Sequence, residues 1–363
     1  MEEPPLFEVK DHDRDYFRAR LDSFLPTRIV DVHTHVWLAR FRGRAESSPT
    51  SRIVSWPERV AAENPIEDLL ETYRLLLPGR DVAPVIFGMT LVSTDDLDGG
   101  NAYIADCATR YGFPSLIFAN PAWDADEFES QISSRGFQGA KVYLTWADPS
   151  VSADQIQIYD FLPPHQLEVL HRRGWVVMLH IPRSGRLKDP VNLEQLCEID
   201  QRYPNASVIV AHVGRAYCPE DVGDAFSVLS GTRNLFFDFS ANTNAEVFAD
   251  LIGAVGSGRI LFGSDLPIVR MRMRRICEHG VYVNLVPRGL YGDVSNDKNM
   301  REIDEDEGQQ LSFFLYEEID AFRRASERFG LRRDDIEDIF CNNAVRLLRK
   351  AGMDLGAVER EKA

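Results

Sequence analysis

The sequence predicts an α/β fold, a (β/α)8 TIM barrel with long insertions after strands 1 and 8 and helices at its C-terminal end. Eight short apolar runs rich in Val, Ile and Phe recur along the chain, and a stretch of helical patterning follows most of them, the alternation expected of a parallel sheet. The hydrophobicity within each run is continuous rather than alternating, which suits strands covered on both faces. Several runs end on a polar residue able to bind a metal, at the end of the strand where barrels carry their active sites.

In chain order the predicted strands are Arg28 to Val36, Pro84 to Val92, Pro114 to Asn120, Gly139 to Leu144, Trp175 to Ile181, Ser207 to Val213, Asn234 to Ser240 and Arg259 to Asp265. Predicted helices lie between them, at Pro65 to Leu77, Gly100 to Tyr111, Asp124 to Ser134, Pro164 to Arg173, Asn192 to Tyr203 and Ala245 to Gly253. Gly or Pro punctuates the returns to the sheet, as in Tyr111-Gly112-Phe113-Pro114. Two connections, 37–64 and 267–310, are too long for ordinary βα loops and are expected to form a lid over the site. Two amphipathic helices, Leu311 to Phe329 and Arg333 to Arg349, are expected to pack outside the barrel, with a frayed end from Gly352 to Ala363. The whole of 1–363 reads as one domain, since barrels of this size routinely form a single unit.

A formal charge of −16 argues against nucleic acid or an anionic membrane as partner, because phosphates are repelled across most of the exterior. Small molecules remain as the expected partners. The five cysteines are odd in number and form no CxxC pair, and the acidic start MEEPPLFEVKDHDRDYF lacks the basic and apolar regions of a secretory signal. A reduced, cytoplasmic setting is expected.

His33 and His35 end the first run, and residues two apart on a strand face the same side. His180, His212 and Asp265 end the fifth, sixth and eighth runs. In a parallel barrel these positions converge on one mouth, and neutral imidazoles with a carboxylate are the donors that borderline divalent metals prefer. Lys141 sits on the fourth run. Carboxylated, it would bridge two metals; as an ammonium it would pair with Asp265 or with a substrate carboxylate. His12, His165, His171 and His279 lack such context and read as surface groups. The cluster Arg270, Arg272, Arg274 and Arg275 reads either as a solvated basic loop or as a lure for an anionic substrate.

Five pieces together carry a family resemblance: Val30-Asp31-Val32-His33-Thr34-His35, Gly136 to Lys141, Val177-Met178-Leu179-His180, Ala211-His212-Val213-Gly214 and Phe262-Gly263-Ser264-Asp265-Leu266-Pro267. The pattern resembles the amidohydrolase superfamily, closest to its amidohydrolase-related branch, amidohydrolase family 2. The likeness runs in order from Arg28 to Lys350, and the tail Phe340 to Leu348 resembles that branch's closing helix. The resemblance implies a metal-dependent hydrolase acting on an amide, ester or lactone bond of a small anionic substrate. His33, His35, His180 and Asp265 would hold one divalent ion, zinc before manganese, with Asp265 as proton acceptor and His212 as stabiliser of the oxyanion. Arg183, Arg215 and Lys141 are the candidate substrate-binding residues, and a homo-oligomer is common in the family. The competing readings are a non-oxidative decarboxylase of an aromatic or unsaturated carboxylic acid, which needs the same ligands, and a catalytically inactive ligand-binding barrel.

Overall fold

The chain's computed structural model describes residues 5–43, 59–89 and 94–356. Its centre is a ring of eight parallel strands: β1 (Arg28–His35), β2 (Asp81–Phe87), β3 (Ile117–Phe118), β4 (Gly139–Val142), β5 (Val176–Leu179), β6 (Ser207–Val210), β7 (Leu235–Asp238) and β8 (Ile260–Leu261). β1 pairs with β2, and β3 to β8 pair in sequence order. Backbone bonds join the two sets. Val32 N donates to Phe262 O at 3.0 Å and His35 N to Leu266 O at 2.9 Å, tying β1 to the end of β8. On the other side, Ile86 N donates to Pro114 O and Leu116 N to Ile86 O, each at 3.0 Å. The apolar runs form strands because both faces are covered, and every residue of β4, β5 and β6 is buried.

The strands are shorter than the runs, and the difference matters at the mouth. β6 ends at Val210 rather than Val213, because His212, Val213, Gly214 and Arg215 all take left-handed φ between 51° and 61°. β8 ends at Leu261, leaving Asp265, at φ 64°, in the following turn. β2 begins at Asp81, earlier than expected, because Pro84 lies inside the strand opposite Asp31, next to an irregularity in register. Its expected end, residues 90–92, lies outside the described residues.

Of the two expected lids, 44–58 lies outside the described residues. The flanks of that insertion are tied by an antiparallel bridge between Trp37 and Asn64. The second, 267–310, is not a structureless lid. It contains β9 (Arg274–Glu278) antiparallel to β10 (Val281–Pro287), with β11 (Met300–Ile303) parallel to β10. The hairpin turns on His279 and Gly280, both with positive φ, as a two-residue turn between twisted strands requires. Cys218, behind β6, and Cys277, on β9, form a disulfide across 59 residues. The reduced state expected from the cysteine pattern does not hold for this pair, because only folding brings the insertion against the β6 loop.

The C-terminal helix Phe314–Phe329 packs on the barrel through Phe322, which stacks on Phe239 with ring centres 4.1 Å apart. The next stretch is helical from Arg333 to Lys350, with a wider turn at Asp338–Asn342. It is fastened to the sheet by Phe262 N to Ile339 O at 3.0 Å and Asn343 Nδ2 to Ile260 O at 2.8 Å. A short helix at Asp11–Tyr16, not anticipated from the sequence, buries Asp13 against Arg272.

Candidate metal centre

His33 and His35 project from the end of β1 into the barrel mouth, with ring centres 5.5 Å apart. Asp265 reaches both: its Oδ1 lies 3.5 Å from His33 Nε2 and 3.3 Å from His35 Nε2. The turn that carries Asp265 is clamped to β1 by Asp265 N donating to His33 O at 2.8 Å. His180, just past β5, and His212, just past β6, complete the ring, with their Nε2 atoms 2.9 Å apart. The His33 ring is 6.0 Å from that of His180 and 4.8 Å from that of His212. Two overlapping clusters result, His33-His180-His212 and His33-His35-Asp265, and within each the donor atoms lie within 4.8 Å of one another.

The outer nitrogens of three of these rings are engaged. His33 Nδ1 is 3.0 Å from Asp238 Oδ2, His35 Nδ1 is 3.1 Å from Gly88 O, and His212 Nδ1 is 3.0 Å from Ser240 O. A backbone carbonyl accepts only a proton, so the Nδ1 of His35 and of His212 donates, which leaves each Nε2 lone pair facing inward. Such outer bonds orient metal-binding imidazoles and raise their basicity. Burial, then the nearby Lys141 cation, pushes His33 down to about 3. Burial also lowers His212 and drives His180 well below the ordinary histidine range. Burial raises the carboxyl of Asp265, but the neighbouring His33 and His35 outweigh it and hold it below the usual range. Uncharged imidazole donors around an ionised carboxylate match a divalent cation in both charge and donor type.

The backbone is strained at this point. Four consecutive left-handed residues after β6, one of them the β-branched Val213, cost about 1–2 kcal/mol for each non-glycine. The turn swings the chain back, so that His212 N meets Asp238 Oδ1 at 2.9 Å and Arg215 comes to the mouth.

Lys141 on β4 is fully buried, with Nζ 3.3 Å from His33 Nε2 and 4.9 Å from the centre of the Phe87 ring. Burial pulls its pKa down to about 8. Arg215 uses one nitrogen, Nη1, on the carbonyls of Ile181, Pro182 and Arg183 at 2.9 to 3.3 Å. Arg183 instead pairs with Asp189 at 3.0 Å, at the start of the helix Pro190–Arg202. The four arginines after β8 do not form one basic patch. Arg272 is bound by Asp13, Arg275 lies over the rings of Tyr217, Tyr282 and Phe314, Arg270 is directed at Asn64, and Arg274 is exposed. His165 and His171 make local contacts with Trp123 O and Asn205 N, away from the mouth.

Three residues of the site escaped the sequence reading. Asp238 ends β7 as Asp265 follows β8, and the same criterion of a polar residue where an apolar run stops would have found it. Tyr143 lies two residues after Lys141, and its ring meets that of His180 edge-on at 4.8 Å. Ser240 Oγ bridges, lying 2.8 Å from His212 Nδ1 and 3.2 Å from His33 Nδ1, with its proton directed to Asp238. It closes the predicted run Asn234 to Ser240, but a serine is not among the donors that divalent metals prefer.

The family model described as Amidohydrolase (Amidohydro_2) matches residues 30–350. No match was found among curated protein sequences. Among solved structures, the chain is similar to a candidate 2-pyrone-4,6-dicarboxylic acid hydrolase from Pseudomonas putida, at 14% identity and TM-score 0.51, over 90% of this chain and 99% of that one. It is also similar to 4-oxalomesaconate hydratase from Rhodopseudomonas palustris, at 17% identity and TM-score 0.53, over 89% and 96%. A third is 5-carboxyvanillate decarboxylase from Sphingomonas paucimobilis, at 12% identity and TM-score 0.50, over 89% and 99%. At these identities the likeness speaks for the barrel fold. The family match covers the chain from the first strand to the last helix and includes every histidine and carboxylate of the mouth; the chain belongs to the amidohydrolase family.

Proposed function

We propose that the chain is a metal-dependent hydrolase of an amide, ester or lactone bond in a small anionic substrate. The observation that carries this reading is the convergence of inward-facing imidazole nitrogens and the Asp265 carboxylate in two clusters that share His33. His33, His35, His180 and Asp265 would hold one divalent cation, zinc before manganese, which when bound supplies Lewis acidity and makes water a nucleophile near neutral pH. Asp265, within 3.5 Å of both β1 histidines, accepts the proton of the attacking water and returns it to the leaving group. His212, with Nδ1 donating to Ser240 O, presents a lone pair at Nε2, and stabilises the oxyanion that develops on the substrate carbonyl only once Nε2 has taken up a proton.

Arg215 keeps Nε and Nη2 for a substrate carboxylate, in the two-pronged geometry that favours arginine over lysine. Arg183, committed to Asp189, is withdrawn from that role. Lys141, beside His33 and lowered by burial to about 8, would as an ammonium pair with Asp265 or a substrate carboxylate or, carboxylated, would join a second ion to the first. Among the described residues no helix is long and apolar enough to cross a membrane. The Cys218–Cys277 bond runs against the reduced setting expected from the cysteine pattern.

Decarboxylation is the second reading, favoured by the same donor set and by an uncommitted arginine edge beside it. Protein prepared without chelator, analysed for metal and offered lactones, esters and aromatic acids in ¹⁸O-labelled water, separates the two. Label in the product carboxylate, lost in His180→Ala, supports hydrolysis. Release of carbon dioxide with no label moves the assignment to decarboxylation, and absence of both metal and turnover leaves a binding barrel.

A further inference from the structure

Ser240 O, which accepts from His212 Nδ1, belongs to the same peptide unit as Ala241 N, and that N–H donates to Glu318 Oε2 at 2.6 Å. An imidazole, one peptide and a carboxyl group therefore form a continuous hydrogen-bonded chain. Glu318 is fully buried in the helix Phe314–Phe329 and lies outside both donor clusters of the mouth. One turn further along that helix, Phe322 stacks on Phe239, so the helix grips the chain on both sides of Ser240.

The same residue is held from the insertion. Arg275, on β9, donates Nη1 to Ala241 O at 2.6 Å and Nε to Asn284 Oδ1 at 2.8 Å. Ala241 has a left-handed φ of 48°, which an alanine adopts only under outside constraint. Without Glu318 the Ala241 N–H would be buried with no acceptor, and the peptide would turn its carbonyl away from His212 to satisfy it. Ser240 Oγ also lies 2.8 Å from His212 Nδ1, but a hydroxyl serves a ring nitrogen as donor or as acceptor. A carbonyl only accepts, so the carbonyl is the group that selects the tautomer.

We propose that Glu318 is a positioning residue for His212: by holding the Ser240–Ala241 peptide it fixes the tautomer in which Nδ1 carries the proton and the Nε2 lone pair faces the mouth. The helix that follows the barrel thus sets the chemistry at the end of β6. The role asks only for an acceptor. Burial pushes the Glu318 carboxyl well above its ordinary range, and its Oε1 has no hydrogen-bond partner among the described residues, so a neutral amide in its place loses no bond. The consequence for turnover rests on the hydrolase reading, in which His212 Nε2 takes up a proton before it meets the oxyanion; the tautomer does not.

The test is the histidine side-chain ¹H–¹⁵N spectrum of the full chain with zinc, a diamagnetic ion, added; His212→Asn identifies the His212 signals. The wild-type chain is expected to show the Nδ1–H form of His212 and an Ala241 amide that exchanges as slowly as the amides of β6. Glu318→Met, which keeps the bulk and removes the acceptor, is expected to speed exchange at Ala241 at least tenfold and to mix the two tautomers. Glu318→Gln, which keeps an acceptor, is expected to match the wild type in both readouts. Should Glu318→Met fail to fold, the wild-type spectrum and Glu318→Gln still decide. A wild-type Nε2–H form, a fast Ala241 amide, an unchanged spectrum in folded Glu318→Met, or loss of the Nδ1–H form in Glu318→Gln overturns the proposal. With an ester or lactone that the wild type turns over, kcat is expected to fall at least tenfold in Glu318→Met with KM little changed. If no such substrate is turned over, the hydrolase reading fails while the tautomer result stands.

Discussion

Asp238 serves two histidines at once: Oδ2 receives His33 Nδ1, and Oδ1 receives the His212 amide. Burial alone would raise its pKa, but His33 beside it and the hydrogen bonds from His33 and Ser240 hold it well below the usual carboxylate range. Removing a partner of this kind lowers metal affinity by about 10–100-fold in comparable sites. Asp238→Ala is therefore expected to weaken metal binding by that factor with all proposed ligands intact, measured by competition against a chromophoric chelator. For Arg215, replacement by lysine keeps the charge but loses the planar fork, and KM for a turned-over anionic substrate is expected to rise while kcat changes less. An unchanged KM removes Arg215 from substrate binding.

At the scale of elements, the turn after β8 must lie close against β1. A Cβ placed on Gly263 would stand 2.8 Å from His33 Cβ and 3.3 Å from Asp238 Cβ. Gly263→Ala is thus expected to displace His33 and to lower metal affinity more than it lowers the melting temperature, which calorimetry with and without metal reads directly. The insertion after β8 is held to the barrel by Arg272 on Asp13 and by the Cys218–Cys277 bond. Opening a loop of this length costs about 2–4 kcal/mol. Cys277→Ser is expected to lower denaturant stability by that amount and to expose 270–310 to proteolysis before the barrel; uniform cleavage would show that the insertion does not depend on this tie. This sheet was missed because its turn is His-Gly rather than Asn-Gly or Asp-Gly, and because long post-strand connections in barrels read first as loops.

Across the whole molecule, the mouth makes stability depend on pH in two opposite ways. His33, His180 and His212 have folded pKa values below the ordinary histidine value of 6.5. The unfolded chain therefore takes up protons first, and their contribution is present above 6.5 and lost as pH falls towards about 3, the value of His33. Asp31, fully buried and raised by that burial to about 7, acts in the other direction. Its contribution is complete below 3.8 and lost as pH rises through 7. Each group is worth about 1.4 kcal/mol per pH unit within its window. Urea unfolding of metal-free protein at pH 7, 6 and 5 is expected to show falling stability, and a steeper fall in Asp31→Asn, where the opposing carboxyl is gone. A slope unchanged by that substitution would place the pKa of Asp31 near its ordinary value in the folded chain.

The order of strands, the barrel they close and the histidines and aspartate at its mouth were legible in the sequence, because a strand buried on both faces must be apolar along its length and a polar residue at its end is conspicuous. Tertiary structure alone decided the partners of those groups. That Asp238 holds His33, that Ser240 sets His212, that Arg183 is spent on Asp189 and that Cys218 finds Cys277 depend on contacts between segments tens to hundreds of residues apart. The left-handed turn from His212 to Arg215 belongs with them: local preference opposes that backbone at Val213, and only the packing of the closed barrel compensates for it.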